Sequence, residues 1–137
     1  MKTLISADVL SKGGRSGSVQ STDKLIDFTL GNPLEKGQEK KGPNPELLFA
    51  SAYAACYHGA LLNAAKTLGV TLNDSKVRAV VRLMEDDSQG YHLGVDLHAQ
   101  MPGVERSQGQ RIMEQAHKTC PYSKALRGDA PVQLSVD

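Results

Sequence analysis

The sequence predicts an α+β fold in a single domain, residues 1–137, with the element order β-β-β-α-β-β-α-β. Short segments in which polar and apolar residues alternate indicate half-buried strands, and they come in groups instead of alternating regularly with helices. One long segment, Gly42–Val70, is dominated by alanine and leucine and predicts a central helix. A chain of 137 residues is long enough to bury one hydrophobic core.

The predicted strands ahead of this helix are Lys2–Val9, Ser18–Ser21 and Leu25–Leu30. The sequence GGRSGS, which surrounds Arg15, predicts a tight glycine-rich turn after the first strand. Gly31–Gly42 contains a proline and a polar run, and it is predicted to be a loop that leads into the helix.

The central helix has recognisable ends. Asn44 is suited to the N-cap, Pro45 to the first helical position, and Glu46 places a carboxylate where the helix dipole favours one. Gly69 is a typical residue just after a helix end. Apolar and small residues surround nearly the whole helix, so we expect it to be buried, with Cys56 near its middle.

The elements after the helix begin with a hairpin. The predicted order is strand Lys76–Met84, strand Tyr91–Met101, helix Glu105–Lys118, helical turn Tyr122–Leu126 and strand Val132–Val136. Pro121 interrupts the second helical pattern and favours an extended Cys120. A chain this small covers a long apolar helix poorly, so we expect a second copy of the chain to bury it in a two-fold homodimer.

Composition argues against several classes of function. The formal net charge is +1 and aromatic residues make up only 4% of the chain, which gives no basis for binding nucleic acid or an acidic membrane surface. The amino terminus is too short and too polar for a signal peptide, and the uncharged run Leu47–Ala65 contains too many polar residues for a membrane span. We therefore expect a cytoplasmic protein whose two cysteines are free or catalytic.

Each cysteine has two interpretations on the residues alone. Cys56 is either a small hydrophobic core residue or a nucleophile, and a nucleophilic thiolate needs a cation from elsewhere in the fold. Cys120 is either a packing thiol or a thiol that moves toward a partner at the proline-interrupted joint. Their spacing in the sequence does not establish that the two sulfurs meet.

Other residues offer weaker candidates. The four Cys and His residues nearest these motifs lack the spacing of a metal site, so no metal is expected. His58 lies about 200° around the helix from Cys56 and points away, whereas His117 approaches a thiol only through tertiary folding. Taken alone, Arg15 is a solvated turn arginine and Glu46 a first-turn carboxylate.

Two motifs resemble those of a known family. NPELLFASAYAACYHGAL and CPYSKALRGD are similar to the two cysteine motifs of the OsmC/Ohr family, and the resemblance runs nearly from end to end. The tyrosine in CPYS, the RGD-like continuation and the turn GGRSG favour the organic hydroperoxide resistance (Ohr) branch over the osmotically induced OsmC branch.

The resemblance implies an OsmC/Ohr-like fold, an intertwined homodimer and a thiol peroxidase that reduces organic hydroperoxides to alcohols. Cys56 matches the peroxidatic cysteine, Cys120 the resolving cysteine, Arg15 the arginine that holds the thiolate and Glu46 the glutamate that positions this arginine. The family needs no metal, haem or flavin cofactor, and its electrons come from dihydrolipoyl groups on lipoylated proteins.

Two alternatives stay open at this point. One is a non-catalytic dimeric module that binds a hydrophobic ligand along the central helix and whose thiols are inert. The other is an OsmC-branch peroxidase with a broader peroxide preference, because SKAL follows CPY where a more polar segment is expected in the Ohr branch.

Overall fold

A computed structural model describes residues 1–39 and 41–137, and the chain divides into two compact units, residues 1–49 and 50–137. Its strands and helices are grouped along the sequence, which confirms the predicted α+β class. The predicted loop Gly31–Gly42 includes Lys40, which lies outside the described residues.

The first unit contains a three-stranded antiparallel sheet with the order β1-β2-β3. Its strands are β1 (Val9–Lys12), β2 (Ser18–Ser21) and β3 (Asp27–Thr29). The bounds predicted for the middle strand are confirmed.

The predicted first strand, Lys2–Val9, is wrong except for its last residue. The four residues of β2 pair with Val9–Lys12, so the ladder ends at Val9 and the preceding residues have no regular secondary structure. The third strand is shorter than predicted because Ser21 Oγ accepts a hydrogen bond from the Ile26 N–H at 3.0 Å, which makes Ile26 part of the turn.

The central helix, α1 (Pro45–Thr67), begins where the sequence predicts. Asn44 Oδ1 accepts a hydrogen bond from the Leu47 N–H at 2.8 Å, which is the interaction expected of an N-cap side chain. At the other end, Gly69 adopts a positive φ of 77° and the Val70 N–H donates to the Ala65 carbonyl at 2.8 Å. This left-handed glycine closes the helix.

Within one chain, α1 is buried along one stripe and not all round. The buried residues are Tyr53, Tyr57, Leu61, Ala64 and Ala65. By contrast, Leu47 and Leu62 are 57% and 45% exposed. An apolar helix with exposed leucines is only partly covered by its own chain.

The second unit continues with a long antiparallel hairpin and two helices. The elements are β4 (Lys76–Asp86), β5 (Gly90–Gln100), α2 (Arg106–Thr119) and α3 (Pro121–Leu126), all close to the predicted bounds. The Tyr57 hydroxyl donates to the Met113 carbonyl at 2.8 Å and joins α1 to α2. None of the helices in the described ranges combines the length and hydrophobicity of a bilayer-spanning segment.

The predicted last strand, Val132–Val136, is wrong for the single chain, where this segment has no regular secondary structure. A strand exists only when it pairs with another, and within the described residues this segment pairs with none of β1 to β5. The segment keeps the alternating pattern that predicted it, with Val132, Leu134 and Val136 80% or more exposed.

Candidate functional site

The two cysteines lie together in the second unit. The Cys120 thiol donates a hydrogen bond to the Cys56 sulfur, with the two Sγ atoms 3.7 Å apart. Both are free thiols; Cys120 is fully buried and Cys56 is half-buried. Since a disulfide bond is about 2.05 Å long, an approach of only about 1.7 Å would join them.

The break between α2 and α3 places the Cys120 side chain. Pro121 cannot continue α2 and instead takes the first position of α3, so Cys120 is the joint between the two helices. Its φ of −62° and ψ of 124° are extended, as the sequence predicts, and its N–H still donates to the Ala116 carbonyl at 2.8 Å. The thiol is therefore held at a fixed corner of the backbone.

Opposing effects act on the Cys56 thiol. Burial raises the pKa of Cys56, and the adjacent Cys120 thiol shifts it in the same direction. The backbone N–H of Tyr122 donates a hydrogen bond to Cys56 and lowers this pKa, but the net shift is upward. In the second unit, then, the environment of Cys56 favours the thiol over the reactive thiolate.

The Tyr122 amide is a functional group that sequence reasoning missed. Pro121 has no N–H and opens α3, so Tyr122 supplies the first backbone N–H of this helix. The signal is the dipeptide Pro-Tyr directly after a cysteine. The sequence does not show that this N–H donates to Cys56, because Cys56 lies on α1 and reaches the start of α3 only through packing.

A cleft of about 450 Å³ opens beside Cys56 in the second unit. One wall is the α1 face that continues from Cys56 toward the end of the helix, and the other comes from the end of α2 and from Pro121. The lining residues are Cys56, Gly59, Ala60, Asn63, Ala64, Thr67, Gln115, Thr119 and Pro121. This volume is typical of a small-molecule pocket, and the reactive sulfur lies in its wall.

His58 and His117, the histidines near the cysteines in the sequence, each form a hydrogen bond with a serine hydroxyl. His58 Nε2 lies 2.9 Å from Ser75 Oγ, and His117 Nδ1 lies 2.9 Å from Ser123 Oγ.

Burial raises the pKa of Tyr57 to about 12, so its hydroxyl stays neutral at physiological pH. In residues 1–39 and 41–137 no three His, Cys, Asp or Glu side chains form a cluster that could hold a metal ion.

In the first unit, Arg15 and Glu46 form a two-point ion pair. Arg15 Nη1 donates to Glu46 Oε2 at 2.9 Å, and Arg15 Nη2 donates to Oε1 at 2.6 Å. These hydrogen bonds raise the pKa of Arg15 and lower the pKa of Glu46. Such parallel bonds fix the plane of the guanidinium, and 39% of the Arg15 side chain is still exposed.

The glycine-rich turn presents Arg15 to this partner. A Cβ atom at Gly17 would collide with the carbonyl oxygen of Lys12, so the chain can close on itself here only with glycine. Arg15 lies in the short 3₁₀ turn Gly14–Ser16 that this closure produces, and Glu46 lies in the first turn of α1.

The four predicted site residues therefore form two pairs. Arg15 meets Glu46 in the first unit, and Cys56 meets Cys120 in the second. Glu46 and Cys56 both belong to α1.

Comparison with known proteins identifies the family of the chain. The family model described as OsmC-like protein matches residues 37–135. The chain is 40% identical over 134 residues to organic hydroperoxide resistance protein OhrB of Bacillus subtilis, covering 97% of this chain and 98% of that protein. It is 42% identical to OhrA of the same organism, covering 97% and 96% of the two chains.

Solved structures show the same fold. The crystal structure of OhrB from Bacillus subtilis superimposes with a TM-score of 0.85, covering 93% of this chain and 94% of that one. An organic hydroperoxide resistance protein from Elizabethkingia anophelis gives a TM-score of 0.82 at 37% identity, covering 94% and 93%. With a family match over most of its length and relatives at this identity, the chain belongs to the OsmC/Ohr family, to which its two cysteine motifs already pointed.

Proposed function

We propose that this protein is a cytoplasmic thiol peroxidase, acting as one domain over residues 1–137, that reduces organic hydroperoxides to alcohols. The observation that carries the proposal is the 3.7 Å separation of the Cys56 and Cys120 sulfurs. Relatives named organic hydroperoxide resistance proteins support the substrate class.

The proposed reaction begins with the Cys56 thiolate. It attacks the terminal oxygen of the hydroperoxide, an S–O bond forms, the O–O bond breaks, and the alkoxide leaves as the alcohol after taking up a proton. Cys56 becomes a sulfenic acid, oxidised by two electrons. The Cys120 thiol then condenses with it, releasing water and forming the Cys56–Cys120 disulfide.

A dithiol must return the enzyme to its starting state. We propose that the dihydrolipoyl group of a lipoylated protein attacks the disulfide, forms a mixed disulfide and leaves as its own cyclic disulfide. Two electrons pass from the dithiol to the two cysteines, so no metal, haem or flavin takes part in this scheme.

Arg15 is proposed to hold the thiolate, and Glu46 to orient Arg15. Because burial and Cys120 raise the pKa of Cys56, a thiolate at neutral pH needs an additional positive charge. A guanidinium supplies that charge at every relevant pH, and the two-point contact with Glu46 restricts its orientation.

One equivalent of an alkyl hydroperoxide should consume both thiols and produce one intramolecular disulfide, because Cys120 is already in contact with Cys56. Cys56→Ser should abolish turnover. Cys120→Ser should allow a first oxidation that stops at the sulfenic acid. Thiol titration and intact-protein mass measure these products.

An unchanged thiol count after hydroperoxide treatment would contradict the peroxidase. It would favour the alternative, a binding module in which the cleft beside Cys56 takes a hydrophobic ligand and both thiols are inert. Binding of an apolar fluorescent probe to Cys56→Ser protein would then measure the occupancy of the cleft.

Arg15→Ala should make Cys56 react at higher pH, since the charge that offsets burial is removed. We expect the midpoint of the pH profile for alkylation of Cys56, measured in a Cys120→Ser background, to rise by about one unit or more. Arg82→Ala is the matched control, because Arg82 forms an equivalent pair with Asp96 at 2.7 Å on the exposed hairpin. Identical profiles for the two variants would remove Arg15 from the proposal.

The peroxidase should prefer organic hydroperoxides to hydrogen peroxide and dihydrolipoamide to thioredoxin. The cleft beside Cys56 has small apolar residues, Gly59, Ala60 and Ala64, which suit a hydrocarbon chain. Steady-state kcat/KM for each peroxide and each reductant tests both preferences. Equal kcat/KM values for hydrogen peroxide and an alkyl hydroperoxide would favour the broader OsmC-branch alternative.

We also propose that the chain works as a homodimer. Val132, Leu134 and Val136 expose alternating apolar side chains on a segment that pairs with no strand of the described residues, and α1 exposes leucines. Replacing these three residues by serine should weaken self-association by losing buried apolar area. Sedimentation equilibrium of both proteins measures this, and a monomeric unmodified protein would contradict the dimer.

A further inference from the structure

One buried hydroxyl connects the three helices of the second unit. Ser123 Oγ in α3 is hydrogen-bonded to the Tyr53 hydroxyl of α1 at 2.6 Å and to His117 Nδ1 of α2 at 2.9 Å. Ser123 is fully buried and Tyr53 is 2% exposed, so the hydrogen bond between them is shielded from water, whereas His117 is exposed and its bond to Ser123 is only partly buried. We call Tyr53, His117 and Ser123 the Ser123 junction.

Each residue of the junction is three positions from a cysteine in the sequence: Tyr53 from Cys56, and His117 and Ser123 from Cys120. Tyr53 precedes Cys56 by three residues, about one helical turn. Its ring also packs on the Tyr122 ring, with centroids 5.9 Å apart and planes inclined by 39°. Tyr122 is the residue whose N–H donates to Cys56, so Tyr53 contacts α3 at two successive residues.

Helix α3, to which Ser123 belongs, is too short to be stable without contacts to the rest of the chain. α3 has six residues, whereas helices need more than about twelve residues to be stable in isolation. At its far end Arg127 Nη1 donates to the His117 carbonyl at 2.8 Å, which ties α3 to α2. The Ser123 junction ties it to α1 as well, beside the Tyr53–Tyr122 ring contact and the Tyr122 N–H bond to Cys56.

We propose that Ser123 is a positioning residue that, through Tyr53 and His117, holds the start of α3 so that Cys120 Sγ and the Tyr122 N–H both face Cys56. Without the hydroxyl, α3 stays attached to α2 but loses a shared anchor to α1. Cys120 then spends less time within bonding distance of Cys56.

The consequence for turnover rests on the proposed peroxidase function. A Cys56 sulfenic acid that waits longer for Cys120 is exposed longer to a second hydroperoxide molecule. That molecule oxidises it to the sulfinic acid, an irreversible product in the absence of a repair enzyme, and is itself reduced to an alcohol. Ser123 thereby protects Cys56 from over-oxidation.

The positioning can be measured without any peroxide. In equilibrium with oxidised dithiothreitol, the protein dithiol becomes the Cys56–Cys120 disulfide and the reagent becomes its dithiol, so two electrons pass between them. We expect Ser123→Ala to lower this equilibrium constant about fivefold, the effect of losing one net hydrogen bond of ordinary strength. Separation of alkylated species by mass gives the ratio.

Three further variants separate positioning from general loss of stability. Tyr53→Phe keeps the ring contact with Tyr122 and should show a smaller decrease. His117→Asn retains a polar group for Ser123 and should lie closer to the unmodified protein than His117→Leu does. Ser75→Ala removes a serine–histidine hydrogen bond of the same 2.9 Å length elsewhere in the unit and should leave the equilibrium constant unchanged.

The outcomes distinguish this inference from the proposed function. An unchanged equilibrium constant in Ser123→Ala and Tyr53→Phe, or an equal decrease in Ser75→Ala, would overturn the positioning role. A decrease confined to the junction variants supports it, even if hydroperoxides leave the thiols unoxidised and the peroxidase proposal fails. If Ser123→Ala does not fold, Tyr53→Phe and the His117 pair decide by the same criterion.

Discussion

The contact between the Cys56 and Cys120 sulfurs is the constraint on which the rest of the second unit depends. It requires a cysteine at the corner between two helices and a long helix that brings another cysteine to that corner. Pro121 makes the corner, since it ends α2 and begins α3 without leaving an unpaired N–H. Because proline has no N–H, Tyr122 carries the first backbone N–H of α3, and this N–H donates to Cys56.

A partly buried pair of thiols creates an electrostatic difficulty. Packing of the helices brings the sulfurs together and removes water from them. The same burial raises the pKa of Cys56 and so opposes formation of the nucleophilic thiolate. A single amide hydrogen bond reduces this effect without cancelling it. For this reason we propose that Arg15 supplies the missing charge, and the two hydrogen bonds to Glu46 restrict the orientation of its guanidinium.

The sequence predicted elements well where the signal was local. The N-cap Asn44, the helix start at Pro45, the extended Cys120 and the strand Ser18–Ser21 depend on neighbouring residues, and all are confirmed. The first and last strands failed because pairing is not local. Lys2–Val9 lies mostly before the stretch that pairs with β2, and Val132–Val136 pairs with none of the strands in the described residues.

By itself, the sequence determined the α+β class, the central helix, the likeness to one family and the four residues of interest. Only the tertiary structure decided that Arg15 contacts Glu46 and that Cys56 contacts Cys120, because these partners are 31 and 64 residues apart. It also revealed the Tyr122 amide and the Ser123 junction. A hydrogen bond depends on distance and direction, and for residues on different elements packing alone fixes both.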